Sequence, residues 1–114
     1  MYVIIWKFAV KPGLENDFEA VYGPDGTWAQ FFRRGRGYLE TELLRDASVA
    51  GKYVTIDRWE SKAAYEEFKT RFADSYSAID QECEVLTESE TQIGTYELIA
   101  SKSRGTKIQN DDQS

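Results

Sequence analysis

Apolar side chains occupy both parities of the first run of the chain, residues 2–10, in which only Lys7 is charged. A run without alternation is typical of a strand that is covered on both faces. Residues 38–44 and residues 52–59 instead alternate between apolar and polar positions, which predicts strands with one more polar face. Because only residues 45–51 separate them, we expect these two strands to pair as an antiparallel hairpin.

Helical spacing of apolar residues marks the segments between the strands. We predict a helix over residues 14–22, a short second helix capped by Thr27, and a third helix over residues 62–72 with Ser61 as its N-cap. At Asp74 the helical pattern begins again and predicts a fourth helical segment.

A last strand-like segment, residues 88–99, completes the order βαββαβ. That order defines a ferredoxin-like α+β fold, a four-stranded antiparallel sheet with its helices on one face. The 114 residues leave room for one such domain, which we place at residues 1–100. Residues 101–114 are almost devoid of apolar side chains, and we expect a polar C-terminal tail or an arm over a partner.

The two alternating strands decide which side chains each face of the sheet presents. We assign to the helix-covered face Leu39, Leu43, Val54 and Ile56. The open face then carries a mixed set: Tyr38, Glu40, Glu42, Tyr53, Thr55, Asp57 and Trp59. Three large aromatic rings in one exposed patch need a second layer, which the chain has no spare element to supply. We therefore predict a homodimer packed sheet against sheet, with Tyr38, Tyr53 and Thr55 at the interface.

Charge and composition exclude several function classes. Fourteen Lys and Arg against twenty Asp and Glu give a net charge of -6, which argues against nucleic acid or an anionic membrane as a partner. The chain has no His and a single Cys, so Cys/His zinc sites, Ser-His-Asp triads and internal disulfides are excluded. The acidic residues lack calcium-loop spacing, and we expect no metal. No apolar stretch fits a signal peptide or membrane span, so we expect a cytoplasmic protein.

Three stretches of the sequence resemble a known family. They are the Lys-Pro-Gly turn with the Phe18 helix, residues 37–46 (GYLETELLRD), and residues 53–61 (YVTIDRWES) followed by a helix with Tyr65 and Phe68. Over about residues 2–97 the chain resembles the antibiotic biosynthesis monooxygenase domain family. The resemblance implies a dimeric α/β barrel. Some members oxidise phenolic or quinol-type polyketides with molecular oxygen and no cofactor, others degrade haem, and many have no assigned substrate.

The sequence lacks a His and an Asn that characterised members of the family use, which narrows the range of activities that the resemblance implies. Haem-degrading members use an Asn on the first strand with a Trp and a His, whereas this chain has no His and its Asn residues are Asn16 and Asn110. The cofactor-free members also use an Asn that has no counterpart here. The resemblance implies a cofactor-independent monooxygenase that acts on a small aromatic, quinol or polyketide-like substrate. The alternative is a non-catalytic dimeric α/β barrel that binds a small hydrophobic metabolite.

Candidate site residues follow from what such a reaction needs, namely a pocket for an aromatic ring and a group that handles its proton. The candidates for ring binding are Trp28, Phe32, Phe68, Phe72 and Tyr76. The candidates for catalysis are Glu40, Asp57 and Trp59. The structural alternatives are core packing for the aromatic residues and ion pairs with Arg45, Lys52 or Arg58 for the carboxylates. Arg33, Arg34 and Arg36 form either a guide for an anionic substrate or a solvated loop.

Overall fold

The computed structural model describes residues 1–102, so most of the predicted tail, residues 103–114, lies outside the described residues. Eight main elements follow one another along the chain. They are β1 (Tyr2–Val10), α1 (Glu15–Tyr22), α2 (Thr27–Phe32), β2 (Tyr38–Arg45), β3 (Lys52–Trp59), α3 (Lys62–Arg71), α4 (Ala73–Cys83) and β4 (Thr87–Glu97). A 3-10 turn, Glu84–Leu86, joins α4 to β4. These bounds agree with the predicted ones to within two residues.

The four strands form one antiparallel sheet in the order β2-β3-β1-β4. β1 is central because it is the most apolar strand, and it pairs with β3 on one side and β4 on the other. The helices lie on one face of the sheet, so the predicted ferredoxin-like α+β fold is confirmed. The other face of β1, with Val3 and Ile5 half-buried, has no covering layer among residues 1–102.

The predicted N-cap is confirmed for α3 and wrong for α2. Ser61 is the N-cap of α3, where its Oγ accepts a hydrogen bond from the backbone N–H of Ala64 at 3.1 Å. The prediction that Thr27 caps α2 is wrong, because the N-cap is Gly26 and Thr27 is the first helical residue. At Gly26 the chain passes so close to the end of α1 that a Cβ atom would collide with backbone carbonyl oxygens of that helix.

The face assignment made from alternation is wrong for β3. Tyr53, Thr55, Asp57 and Trp59 all point toward the helices, with exposures of 3%, 3%, 8% and 0%. Tyr53 stacks near Phe18 and donates a hydrogen bond from its hydroxyl to Glu19, both on α1. Val54 and Ile56 therefore lie on the open face. The helices cover the face with the large aromatic rings because burying those rings removes more apolar area from water than burying Val and Ile.

On β2 the face assignment is wrong only at the start of the strand, for Tyr38 and Leu39, and this also changes the predicted dimer contact. A register shift between Tyr38 and Glu40 lets Tyr38 and Thr41 share the helix-covered face, where the Tyr38 ring contacts Phe32 and Trp59. Leu43 lies on this face as expected, whereas Leu39 is exposed. Tyr38, Tyr53 and Thr55, named above for a dimer interface, contact the helical layer of their own chain instead.

Candidate functional site

A cavity lies between the helical layer and the sheet. Its aromatic lining consists of Trp6, Phe8, Tyr22, Trp28, Phe32 and Tyr76, and its polar lining of Thr41, Thr55, Asp57, Asp80 and Glu90. The space between these side chains is about 420 Å³ including the part open to solvent, but only about 40 Å³ of it admits the centre of a water molecule. That is room for a few waters. A ligand with an aromatic ring therefore needs lining side chains to move aside.

Element geometry explains why these residues meet. Trp28 and Phe32 lie four residues apart on α2 and share one helix face, as do Tyr76 and Asp80 on α4. Strand residues reach the cavity by alternation and pairing, since Trp6 of β1 lies opposite Thr55 of β3 and Phe8 lies opposite Glu90 of β4. Asp57 enters through its pairing with Thr41 on β2.

Asp57 is the most unusual polar group in the cavity. Its side chain is held by a 2.7 Å hydrogen bond from the hydroxyl of Thr41 to Oδ1, and it forms no ion pair with any described residue. Burial raises the pKa of Asp57 from 3.8 to about 6, while the hydrogen bond from Thr41 opposes the increase. A carboxyl group with this pKa exchanges protons near neutral pH.

Two hydroxyl groups of β2, those of Thr41 and Tyr38, form a chain of hydrogen bonds that ends at Asp57. Thr41 Oγ1 and the Tyr38 hydroxyl are 2.7 Å apart. Because the single hydroxyl hydrogen of Thr41 is donated to Asp57, the Tyr38 hydroxyl must be the donor in its bond to Thr41. Thr41 is the one described side chain that hydrogen-bonds to Asp57, so Oδ2 of Asp57 is available to a ligand.

The indole N–H of Trp28 is a second group without a partner. Trp28 is 7% exposed and lines the cavity, yet its Nε1 makes no hydrogen bond to residues 1–102. The Tyr22 hydroxyl and the Cys83 thiol lie near it, and the indole N–H opposes the increase that burial causes in the pKa of both groups, but neither group reaches hydrogen-bond geometry. A buried donor without an acceptor is costly, and an oxygen atom of a ligand would satisfy it.

The predicted site residues divide into those at the cavity and those elsewhere. Trp28, Phe32 and Tyr76 line it together with Asp57. Phe68 and Phe72 do not, because they pack against each other and against Phe31 on the far side of α2. Trp59 is fully buried in the core.

Glu40 also lies away from the cavity. It is on the open face of the sheet, where its carboxylate pairs with Arg58 at 3.2 Å. The ion-pair interpretation of this carboxylate is the one that the geometry supports. Arg58 contacts Glu42 as well, so the three side chains form one exposed ionic group.

Several lining residues did not emerge from the sequence: Trp6, Phe8, Tyr22, Thr41, Thr55, Asp80 and Glu90. Thr55 was missed because the wrong parity of β3 was turned toward the helices, and no parity was assigned on β1, which carries Trp6 and Phe8. Asp80 carries a usable local signal, since it lies one helical turn after Tyr76 on the half-buried face of α4. Glu90 carries none, because only the pairing of β4 with β1 brings it opposite Phe8.

The arginine-rich loop after α2 does not reach the cavity. Arg33 bridges back to Asp25 at 3.2 Å and to the Pro24 carbonyl at 2.7 Å. Arg34 and Arg36 line a separate groove with Phe72, above whose ring the Arg34 guanidinium lies at 4.7 Å. The loop therefore does not guide ligands into the cavity by contact.

No group of three or more His, Cys, Asp and Glu residues within residues 1–102 is arranged to hold a metal ion. In the same part of the chain, no helix is long and apolar enough to cross a membrane.

An antiparallel sheet with an aromatic cavity beneath a single helical layer defines a small ferredoxin-like α+β protein with an internal cavity. The sequence matches the model of the antibiotic biosynthesis monooxygenase family over residues 1–73, and the chain belongs to that family. No curated protein matches the sequence.

Solved structures share the fold at low sequence identity. A variant of SnoaB, a cofactor-independent oxygenase from Streptomyces nogalater, is 22% identical with a TM-score of 0.67, over 88% of this chain and 94% of that one. PA3566 from Pseudomonas aeruginosa is 17% identical with a TM-score of 0.62, over 87% and 94%. A MhuD variant with two manganese protoporphyrin IX molecules per active site is 18% identical with a TM-score of 0.67, over 90% and 99%.

Proposed function

We propose that this chain is a cofactor-independent monooxygenase that acts on a small phenolic aromatic molecule of the quinol or polyketide-like type. The observation that carries the proposal is Asp57, a buried carboxyl group with a pKa of about 6 that faces a cavity lined by aromatic rings. Family membership supports the reaction type. The similar protein SnoaB is itself a cofactor-independent oxygenase.

In the proposed reaction Asp57 is the general base. A bound phenol donates its hydroxyl proton to Oδ2 of Asp57, and the phenolate so formed releases electrons more readily than the phenol. Oxygen adds to a ring carbon that lies ortho or para to the hydroxyl and bears a hydrogen atom, and loss of water leaves a carbonyl group there. Phenol and O₂ thus give quinone and water: one oxygen atom enters the product, the other leaves as water, and the substrate supplies all four electrons.

Other groups of the cavity position the substrate and stabilise its charge. The indole N–H of Trp28 is free to donate a hydrogen bond to a substrate oxygen. The rings of Phe32 and Tyr76 offer flat apolar surfaces for the substrate ring. Thr41, which is itself bonded to Tyr38, holds Oδ1 of Asp57 and leaves Oδ2 for the substrate.

Oxygen uptake with a panel of hydroquinones, naphthols and anthrones tests the proposal. The matched pair of variants is Asp57→Asn and Glu40→Gln, which neutralise the two carboxylates that the sequence offered as bases. We expect Asp57→Asn to lower kcat/KM by about 100-fold or more, because general-base catalysis contributes about that much. Glu40→Gln should leave kcat/KM within about twofold, since Glu40 lies on the opposite face of the sheet.

Either of two results would contradict this proposal. Full activity of Asp57→Asn would remove Asp57 from the mechanism. If no compound of the panel consumes oxygen but some bind, the chain is instead a barrel that binds a small hydrophobic metabolite without catalysis, as the narrow aromatic cavity also permits.

We also propose a homodimer formed through the open face of the sheet. Val3, Ile5, Val54 and Ile56 form the half-buried centre of this face, and Leu44 and Tyr96 beside them are 46% and 48% exposed. An exposed apolar patch at the centre of a sheet face is typical of an interface. A second copy related by a two-fold axis would cover the patch with the same patch.

A further inference from the structure

The cavity carries more negative charge than the proposed reaction needs. Besides Asp57, it is lined by Asp80 from α4 and Glu90 from β4, which are 10 residues apart in sequence and meet only in the fold. Within residues 1–102 the lining includes no Lys or Arg, and none of the three carboxylates takes part in an ion pair.

These carboxylates act on each other and on the aromatic lining. Partial removal from water raises the pKa of Glu90, although its side chain stays exposed, and the negative charges of Asp80 and Glu84 add to this increase. The pKa of Tyr76 is raised to about 12 mainly by burial, with further contributions from Asp80, Asp57 and Glu90. The cavity therefore has a negative potential that a neutral ligand leaves unbalanced.

The three acids occupy different depths. Asp57 is buried, Asp80 is half-buried and Glu90 is exposed, so Asp57 lies inside and the other two stand nearer the opening. The buried indole N–H of Trp28 has no acceptor among residues 1–102, and an oxygen atom of a ligand would satisfy it. A ligand that fits both ends has a hydroxyl group inside and a positive charge near the opening.

The aromatic residues fit a cation as well as a ring. Trp6 and Trp28 line the same space as Asp80 and Glu90, whereas the ring of Tyr76 already has the Lys69 ammonium group 4.9 Å from its centroid. Electron-rich ring faces attract ammonium groups, most strongly where water is partly excluded. A carboxylate on a ligand would meet repulsion from three acids and gain nothing from these rings.

We infer that the cavity selects a phenolic substrate that carries a protonated amine on a side arm, and that Asp80 and Glu90 are the residues that determine this specificity. The inference rests on the proposed function for the phenol, and it adds the charge of the substrate. The hydroxyl group then lies at Asp57 and the ammonium group lies between Asp80 and Glu90.

Two matched series of probes test the inference by calorimetry at pH 7.5 and physiological salt. The first is tyramine, 4-ethylphenol and 4-hydroxyphenylacetate, and the second is 5-hydroxytryptamine, 5-hydroxyindole and 5-hydroxyindole-3-acetate. Ring and hydroxyl group are constant within a series, while the side arm is cationic, neutral or anionic. We expect each amine to bind about tenfold tighter than its neutral counterpart, and each acid to bind more weakly than both.

Two double variants distinguish an effect of the cavity charges on binding from an effect of the net charge of the protein. Asp80→Asn with Glu90→Gln removes the two charges near the opening. Glu82→Gln with Glu88→Gln removes two exposed charges from the same two elements, α4 and β4, and changes the net charge of the protein by the same amount. The amine preference should fall to within about twofold in the first double variant and persist in the second.

The inference is overturned if the acid probes bind as tightly as the amines, if the amine preference survives in Asp80→Asn/Glu90→Gln, or if none of the six probes binds at millimolar concentration. Oxygen uptake with the same probes keeps the two proposals distinct. Amine-selective binding without uptake would leave the specificity standing and refute the oxygenase. Equal uptake with amines and acids would support the oxygenase and refute the specificity.

Discussion

Asp57 links the chemistry of the cavity to the stability of the protein. Its pKa is raised from 3.8 to about 6, so the folded state holds this proton more tightly than the unfolded state. The contribution of Asp57 to stability is therefore greatest below about pH 4 and is lost as the pH rises through about 6. Above that range Asp57 is a buried charge without a counter-ion among residues 1–102, and this charge destabilises the folded state.

Asp57→Asn removes the proposed general base. It should therefore also make the protein more stable at high pH. Relative to the wild-type chain, we expect its free energy of unfolding to rise by about 2–3 kcal/mol between pH 4 and pH 8. Urea unfolding at the two pH values measures this difference. Glu40→Gln, on an exposed side chain, is the control and should show no comparable change. A stability difference that does not vary with pH would contradict the assignment.

At the scale of elements, α2 is the part of the candidate site that depends most on contacts with the rest of the chain. It has six residues, which is too short for a helix that is stable by itself, yet it carries Trp28 and Phe32. Its position depends on the tight approach of Gly26 to α1. The φ of Gly26 is −85°, which any residue adopts, so glycine is needed for space and not for backbone freedom.

Gly26→Ala should displace α2, because the added Cβ collides with the carbonyl oxygens of Ala20 and Val21. We expect a loss of about 1–3 kcal/mol in the free energy of unfolding and weaker binding in the cavity. Urea unfolding and calorimetry with the best ligand are the measurements. Gly13→Ala is the control, since a Cβ there meets nothing within 4 Å. Its positive φ of 88° makes it lose stability without loss of binding. Unchanged binding in Gly26→Ala would show that α2 does not shape the site.

At the scale of the whole molecule, the open face of the sheet is the surface through which we propose that the homodimer forms. Its centre is formed by Ile5 of β1 and Ile56 of β3, which lie directly opposite each other. Glu40, Glu42 and Arg58 form an ionic group toward the β2 side of this face. An apolar centre beside a polar rim is the usual anatomy of a protein interface.

Ile5→Lys should convert the dimer to a monomer, because it places two like charges at the centre of a two-fold interface. Sedimentation velocity or native mass spectrometry would show a mass of about 13.1 kDa instead of twice that value. Ala63→Lys adds the same charge on the exposed face of α3 and should remain dimeric. A dimeric Ile5→Lys variant would place the interface elsewhere, and a monomeric wild-type chain would refute the dimer itself.

Local patterns in the sequence were sufficient for the elements and their order. The spacing of Leu14, Phe18 and Val21 predicts α1, and Ser61 as an N-cap predicts the start of α3. Both signals are local, because helix periodicity and capping depend on residues within one or two turns of each other. The pairing of β2 with β3 followed from the short loop between them. The absence of His is likewise a property of the sequence alone, and it excludes whole classes of chemistry.

Only the tertiary structure decided which face of the sheet is covered and which side chains meet. Alternation on β3 defines two faces, but it does not state which one the helices bury, and the aromatic rings of Tyr53 and Trp59 outweighed Val54 and Ile56. The bond between Thr41 and Asp57 joins residues 16 positions apart, and Glu90 reaches the cavity through strand pairing. Such contacts depend on the packing of the whole chain, so no local pattern encodes them.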